Sequence, residues 1–365
     1  VSDRWVVLKG LLNEDDPDAV LAAVAERQFL AQIEHANIVN IYNFVTHAGR
    51  GYIVMEYVGG ESLNAKLKAR RRANSNVADP LPVAEAIAYV LGVLPAFAYL
   101  HDLGLVYNDL KPANVMAVGS DVKLIDVGAV MRTDDQHAAI FGTQGFQAPE
   151  VASVGPSVSS DLYTVGRTLA VLMLDFVFHT GDYRYNIPPP REAGVLASWE
   201  SLHRFLLKAT APHPDDRFQS AAEMQHQLTG VLREVVAVMA RTPRPTPSSL
   251  FGGDRLTALL VDHVDVSVTS ADWRALPVPK VDPADPAAAF LGDLVEVAPE
   301  VALELIGAAL REGQLQETRE VHLARAKALI ETGADPAAAL DAVSADDPWD
   351  WRAEWFRSVH HLVQG

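Results

Sequence analysis

The sequence predicts an α+β chain in which a small strand-rich region precedes two helical regions. Short apolar runs at residues 5–8 and 52–58 are typical of strands, and the first is expected to be buried. The pattern is helical from residue 161 to about residue 238, and again from residue 283 onward. Between these two regions, the proline-rich residues 242–249 are typical of an extended linker.

The first half of the chain also contains two predicted helices. Residues 19–34 are rich in Ala, Leu and Glu, and residues 83–103 form a long helical pattern that Gly104 ends. After the linker, the apolar residues 259–261 and 264–269 predict either a strand pair or a segment that folds back on the first domain. Turn signals separate three further short strands, at residues 105–106, 115–118 and 122–125.

Length and charge narrow the classes of function. The chain has 365 residues, enough for two or three domains, and a formal net charge of −17. Such an acidic chain is a poor match for nucleic acid or an acidic membrane surface, so neither is expected as a partner. The basic run at residues 70–72 is too short to change this and is expected to be a solvated loop or helix end.

The absence of cysteine is equally restrictive. Disulfides, thiolate metal sites and cysteine nucleophiles are excluded for this chain, and a cytoplasmic location fits. No stretch approaches about 18 uncharged apolar residues and no secretory leader opens the chain, so stable membrane insertion is not expected. Because the chain starts within a predicted strand and without an initiating methionine, we expect it to be part of a longer protein.

Residues 107–114, with the sequence YNDLKPAN, carry the most specific signal. An Asp followed five residues later by Asn, with Lys between them, is the spacing of a protein kinase catalytic loop. In that chemistry Asp109 accepts the proton of the substrate hydroxyl, Lys111 neutralises charge on the moving phosphoryl group, and Asn114 ligates Mg²⁺. The alternative is a polar surface turn in which Pro112 ends an element.

A second metal ligand is predicted at Asp126, in the sequence IDVG. A carboxylate on a turn after an apolar strand, with Gly128 freeing the backbone, suits a bridging Mg²⁺ ion. Kinases usually have phenylalanine where Val127 stands, and the smaller side chain is expected to weaken packing without removing the ligand. Asn114 and Asp126 are therefore the predicted ligands, with Mg²⁺ or Mn²⁺ as the ion.

Nucleotide contacts are predicted at two further places. Lys9, on the first strand, is expected to contact the α- and β-phosphates of ATP while Glu26 on the following helix holds it. The sequence MEYV has the form of a hinge that binds adenine. There the Glu56 carbonyl and the Val58 amide are the predicted backbone partners, with Met55 at the back of the pocket.

Residues 141–150, with the sequence FGTQGFQAPE, are typical of the end of a kinase activation loop. Thr143 is expected to hydrogen-bond towards the catalytic Asp and Lys and to shape an acceptor site for Ser or Thr. Glu150 and Arg217 are expected to form a buried ion pair, and Asp161 to brace the catalytic-loop backbone. The order of these motifs agrees with the predicted fold.

Together these motifs resemble eukaryotic-like protein kinases over residues 1–241 and, more narrowly, the actinobacterial protein kinase G family. The resemblance implies a two-lobed kinase fold at 1–240, with a small antiparallel-sheet lobe and a large helical lobe. It further implies a linker at 241–280 that wraps the kinase domain and an incomplete tetratricopeptide-like helical tail at 281–365. The segments that carry the narrower resemblance are 25–30, 51–60, 105–112, 145–150 and 228–236.

The same resemblance implies binding partners, but this chain also differs from family members and from other kinases in several features. It implies a homodimer through the tail and, as substrate, a small forkhead-associated-domain protein that regulates 2-oxoglutarate and glutamate metabolism. Family members carry a cysteine-ligated rubredoxin-like module, but this chain has no cysteine, and no glycine-rich loop precedes Lys9. Asn108 replaces the Arg that usually binds an activation-loop phosphate, so activity is expected without phosphate on Thr133 or Thr143.

Three functions remain open at this point. The first is a Mg²⁺- and ATP-dependent Ser/Thr protein kinase, which accounts for all the predicted site residues. The second is a pseudokinase scaffold. A missing glycine-rich loop would favour it, but the presence of the predicted site residues argues against it, because a scaffold needs none of them. The third is a small-molecule kinase of the aminoglycoside type, which Thr143 and the pair of Glu150 with Arg217 disfavour.

Overall fold

The computed structural model forms two compact units, Val1–Arg244 and Pro245–Gly365. The predicted helix at 19–34 lies mostly outside the described residues, and Ile33 and Glu34 at its end are not helical. The apolar runs at 259–261 and 264–269 lie outside them entirely. The described residues are 5–10, 30, 32–47, 50–134, 142–252, 273–295, 297–348 and 350–364.

The first unit opens with a three-stranded antiparallel sheet in the order β1-β3-β2. Its strands are β1 (Val6–Gly10), β2 (Ile41–His47) and β3 (Arg50–Glu56). The central strand β3 carries the buried side chains of Ile53 and Met55. The prediction that residues 5–8 are buried is wrong, since Trp5 is 83% exposed. The reason is that β1 is an edge strand, hydrogen-bonded among the described residues to β3 alone.

The larger part of this unit is helical and carries two small sheets, with strand orders β4-β6-β7 and β5-β8. The strands are β4 (Glu61–Ser62), β5 (Leu105–Val106), β6 (Val115–Val118), β7 (Asp121–Leu124) and β8 (Met131–Arg132). The helices are α1 (Leu63–Ala73), α2 (Val83–Asp102), α3 (Val151–Val154), α4 (Val158–Met173), α5 (Gly194–Ser198), α6 (Glu200–Ala209) and α7 (Ala221–Ala240).

A turn at residues 35–39 joins the first sheet to the larger part of the unit. Val39 N donates to Leu124 O, and Leu124 N donates to Asn37 O, both at 2.8 Å. The Asn37 side-chain amide also donates to Val122 O at 2.9 Å. Because Val122 and Leu124 lie on β7, these bonds fix the first sheet, β1-β3-β2, against the strand that leads to Asp126.

Helix α2 lies at the apolar centre of the unit. It packs against α4 and α7, and side chains such as Val90, Leu94 and Phe97 are buried. By length and composition alone α2 could cross a membrane, so the expectation that no stretch is apolar enough is wrong. Burial in the protein core accounts for this apolar composition, because a helix packed on several sides needs few polar residues.

Helix α4 is buried along most of its length. The hydroxyl of Ser157 accepts from Ser160 N at 3.2 Å, and the hydroxyl of Ser160 accepts from Ser157 N at 2.8 Å. This reciprocal cap satisfies two of the free amides at the start of the helix. Further along, a Cβ at Gly166 would lie 2.6 Å from the Ala209 Cβ, so glycine permits the close approach of α4 and α6.

The second unit is a helical array in which successive helices from α9 to α12 contact one another. Its helices are α8 (Ala288–Asp293), α9 (Pro299–Arg311), α10 (Arg319–Glu331), α11 (Ala337–Asp346) and α12 (Trp351–Gln364). Gly333, at φ +76°, ends α10 with its N–H donating to Ile330 O at 3.1 Å. Left-handed glycine at this position is a common helix terminator.

The described ends of the predicted linker, residues 241–280, contact this helical array. The Phe251 ring lies 5.3 Å from the Trp351 ring and 5.0 Å from the Trp355 ring. Gly252 N donates to Val278 O at 2.7 Å, which joins the two ends of the segment. That the linker wraps the kinase domain stays a prediction.

Candidate active site

The loop between β5 and β6 is held in place from α4. The Asp161 carboxylate is fully buried and accepts hydrogen bonds from Tyr107 N at 2.7 Å and Asn108 N at 2.8 Å. Asn108 has a left-handed backbone, φ +65°, which Asn tolerates better than most residues. The predicted brace from Asp161 is therefore confirmed, and it fixes the backbone that presents Asp109.

Asp109, Lys111 and Thr143 form a closed hydrogen-bonded triangle. The Thr143 hydroxyl donates to Asp109 Oδ1 at 2.6 Å, and Lys111 Nζ lies 2.5 Å from Asp109 Oδ2. Lys111 Nζ also donates to the Thr143 oxygen at 2.7 Å. The three residues come from two segments that are distant in sequence, and the fold brings them together as predicted. A carboxylate with an adjacent cation can accept a proton next to developing negative charge.

Asn114 contacts Asp109 directly, and Asp126 follows a residue that is hydrogen-bonded to Asn114. The Asn114 side-chain amide donates to Asp109 O at 2.8 Å, and Ile125 N donates to Asn114 O at 3.0 Å. Gly128 N donates to Asp126 Oδ1 at 2.9 Å. The carboxylate and the amide that were predicted as metal ligands are thus brought to adjoining segments of the chain.

The donor set of Asn114 and Asp126 suits Mg²⁺. Since the Asn114 NH₂ group donates to Asp109, its Oδ1 is left as an oxygen ligand. No cluster of three His, Asp or Glu ligands occurs among the described residues. Mg²⁺ commonly binds one or two protein oxygens and completes its shell with water and substrate phosphates, so a two-residue site fits.

Lys9 reaches the same place from β1. Its Nζ contacts Asp126 Oδ1 in an ion pair that is partly exposed on both sides. Burial alone would raise the pKa of Asp126, but hydrogen bonds from Lys9 and from Gly128 N outweigh it and lower the pKa. Asp126 is therefore an anion at neutral pH. The predicted partner of Lys9, Glu26, lies outside the described residues.

The hinge segment is anchored by the side chain of Glu56, for which only the backbone carbonyl was predicted to have a role. Both oxygens of the Glu56 carboxylate lie 2.6 Å from Lys123 Nζ on β7, and one accepts from the Asn40 side-chain amide at 2.9 Å. Met55 is buried and Val58 is half-buried, as a hinge beside a pocket requires. Lys123 and Asn40 were missed. The only signal for Lys123 is a lysine between two apolar strand residues.

We expect Glu56→Gln to lower the free energy of unfolding at pH 7 by about 1 kcal/mol, because it removes an ion pair that is partly screened from water. Burial alone would raise the pKa of Glu56, but its bonds to Lys123 and Asn40 outweigh it and lower the pKa. The stabilisation is therefore present above the ordinary value of 4.5 and is lost as the pH falls below it.

Urea denaturation of both proteins at several pH values measures this difference. It should be present at pH 7 and become smaller as the pH falls below 4.5. Glu234→Gln, the same change at an exposed position on α7, is the control and should have no effect. A difference that stays the same across this pH range would contradict the assignment.

Glu150 and Arg217 form the predicted ion pair below the active site. Arg217 Nη1 and Nη2 lie 2.6 and 2.8 Å from the two carboxylate oxygens of Glu150. The Arg217 side chain has 0% exposure and also donates to the carbonyl oxygens of Ala211 and Pro212. This bidentate pair confirms the prediction and fixes the segment that follows Thr143.

Comparison with known proteins agrees with this geometry. Residues 2–228 match the family model described as a protein kinase domain, and residues 245–365 match the model described as a protein kinase G tetratricopeptide repeat. The chain therefore belongs to the protein kinase family. The presence of both matches in one chain makes it a protein kinase G-like member, and the predicted two-lobed fold with a helical tail is confirmed.

Individual relatives point the same way. Serine/threonine-protein kinase PknG of Mycolicibacterium smegmatis and that of Mycobacterium leprae are each 44% identical, over 100% of this chain and 50% of the relative. The chain thus spans about half the length of these curated relatives. The crystal structure of the Mycobacterium tuberculosis PknI kinase domain has a TM-score of 0.50 and 24% identity, and covers 63% of this chain and 86% of that one. That structure supports the fold alone.

Proposed function

We propose that the protein transfers the γ-phosphoryl group of ATP to a Ser or Thr hydroxyl of a protein substrate, with Mg²⁺ or Mn²⁺. The observation that carries the proposal is the hydrogen-bonded triangle of Asp109, Lys111 and Thr143 beside Asn114 and Asp126. A pseudokinase scaffold would not need these side chains to lie close together. The relatives named as serine/threonine-protein kinases support the same activity.

Each residue of the triangle has a separate task in this proposal. The acceptor hydroxyl approaches Asp109, which orients it and takes its proton as the bond to phosphorus forms. Thr143 holds one carboxylate oxygen and thereby fixes the direction of the other. Lys111 places its charge beside both and stabilises the negative charge on the transferring group.

The nucleotide is proposed to lie between β1 and the hinge. Lys9 would hold the α- and β-phosphates, with Glu26 as its partner in the bound state, and the Glu56 carbonyl and Val58 amide would bind adenine beside Met55. Asn114 and Asp126 would hold the metal ion, which neutralises phosphate charge when bound. Lys9 contacts Asp126 in this structure. In the bound state Lys9 would contact the phosphates instead, and Asp126 would contact the metal ion.

The family resemblance supports finer proposals. The substrate is proposed to be a forkhead-associated-domain protein that regulates 2-oxoglutarate and glutamate metabolism, and the helical tail is proposed to form a homodimer in the cytoplasm. Transfer of label from γ-labelled ATP to Ser or Thr of a protein by the complete protein tests the activity. If the complete protein binds Mg²⁺-ATP but transfers no label to any Ser or Thr, the scaffold alternative is correct.

Activity should not depend on phosphate in the activation loop. Asn108 carries no charge, and its amide donates to Ala129 O at 3.1 Å, while the Thr133 hydroxyl donates to Gly104 O at 3.2 Å. We therefore expect Thr133→Ala and Thr133→Glu in the complete protein to keep kcat within about twofold of wild type. Steady-state label transfer measures this. A large loss in Thr133→Ala that Thr133→Glu restores would show that phosphate is needed.

A further inference from the structure

A groove of about 740 Å³ leads away from the Lys111 side of the active site. One wall is helix α1 and the other is formed by the segments around Phe146 and Phe178. Pro112, directly after Lys111, also lines it. A chain that places its hydroxyl at Asp109 therefore meets this groove with its neighbouring residues.

Helix α1 presents one face to the groove. Asn64, Leu67, Lys68 and Arg71 all line it, and their spacing of three and four residues puts them on a single face. Lys68 and Arg71 are exposed and have no ion pair among the described residues. Of the three other cations on α1, Lys66 lies 2.6 Å from Glu85 and Arg70 lies 2.8 Å from Asp79, while Arg72 does not line the groove.

The opposite wall is aromatic and held rigidly. The Phe146 and Phe178 rings lie 5.1 Å apart, and Phe146 N donates to Thr143 O at 3.1 Å, which places this wall next to the acceptor position. The buried guanidinium of Arg167 donates to Gly145 O at 2.8 Å and to Phe178 O at 3.0 Å. The apolar wall is thus fixed before any peptide binds.

We propose that this groove selects an acidic acceptor segment, with an apolar residue beside the Ser or Thr and carboxylates further along that face Lys68 and Arg71. The inference rests on the proposed kinase function. Although the chain has a net charge of −17, Lys68 and Arg71 give this groove two exposed cations that have no ion pair among the described residues. The lining acid Asp79 is already paired with Arg70, which leaves Asp175 as the one opposing charge among the described lining residues.

Three serine peptides that share an apolar residue beside the acceptor, and have either Glu, Gln or Lys at the outer positions, test this with the complete protein. We expect kcat/KM to be highest for the Glu peptide, by about tenfold over the Lys peptide at low salt, with a smaller difference at high salt. Lys68→Glu combined with Arg71→Glu should reverse this order. Arg72→Glu, a single charge reversal on the same helix but outside the groove, should not.

Fluorescence anisotropy of the labelled peptides separates binding from transfer. A reversal of preference is a gain for the Lys peptide, which a damaged fold cannot produce. Equal binding of all three peptides, or an unchanged order in the double variant, overturns the groove proposal while leaving the kinase function intact. Preferential binding of the Glu peptide without any transfer would instead support the groove and contradict the kinase function.

Discussion

Replacing Asp109 by asparagine in the complete protein is expected to lower kcat for phosphoryl transfer by about 10²- to 10⁴-fold. The amide cannot take the proton of the acceptor hydroxyl. Its NH₂ group would also face one of two donors, since Thr143 donates to one carboxylate oxygen and Lys111 to the other. Label transfer from γ-labelled ATP at saturating ATP and protein substrate measures the change.

Two controls keep this result specific to the chemistry. Asp121→Asn, the same substitution at the exposed first residue of β7, should transfer label at the wild-type rate. Asp109→Asn should still bind Mg²⁺-ATP, because Lys9 and Asp126 are unchanged. Equal transfer by wild type and Asp109→Asn would remove Asp109 from the reaction and support the scaffold alternative.

Arg217→Met is expected to have the largest effect on stability, a loss of about 3–5 kcal/mol in the free energy of unfolding. Arg217 has no exposed side-chain surface and Glu150 only 15%, so the substitution leaves a poorly solvated carboxylate without its partner. It also removes the donor to the carbonyl oxygens of Ala211 and Pro212. The midpoint of urea denaturation measures the loss.

The controls distinguish a buried pair from an exposed one. Arg204→Met removes a pair with Glu200 in which both side chains are about three-quarters exposed, 76% and 74%, and should cost at most about 0.5 kcal/mol. Adding Glu150→Leu to Arg217→Met should recover part of the stability, because no unpaired charge then remains. A loss for Arg217→Met no larger than that for Arg204→Met would contradict the structural role given to this pair.

The sequence predicts the catalytic loop well because the chemistry fixes both residue type and spacing there. Asp109, Lys111 and Asn114 lie within six residues, so a local pattern is enough to place them near one another. Thr143 could be added from the segment at 141–150, and Asp126 because its short motif follows Asp109 at an offset of 17 residues that is typical of kinases. The ion pair of Glu150 with Arg217 and the brace from Asp161 follow from the same motif order.

Contacts between residues that belong to no motif could not be predicted. Arg167 donates to the carbonyl oxygens of Gly145, Phe178, Tyr183 and Asn186, a set that exists only once the loops have packed. The Lys123 bond to Glu56 joins two strands of different sheets. The exposure of β1 was mispredicted because an apolar run indicates a strand but not how many neighbours that strand has.

A crystal structure of the complete protein with a non-hydrolysable ATP analogue and Mn²⁺ tests the central claim most directly. We expect the triphosphate between Lys9 and the catalytic loop, and the anomalous signal of Mn²⁺ beside Asn114 and Asp126. Adenine should lie against the hinge at Glu56. A nucleotide bound elsewhere, or Mn²⁺ remote from both ligands, would contradict the account.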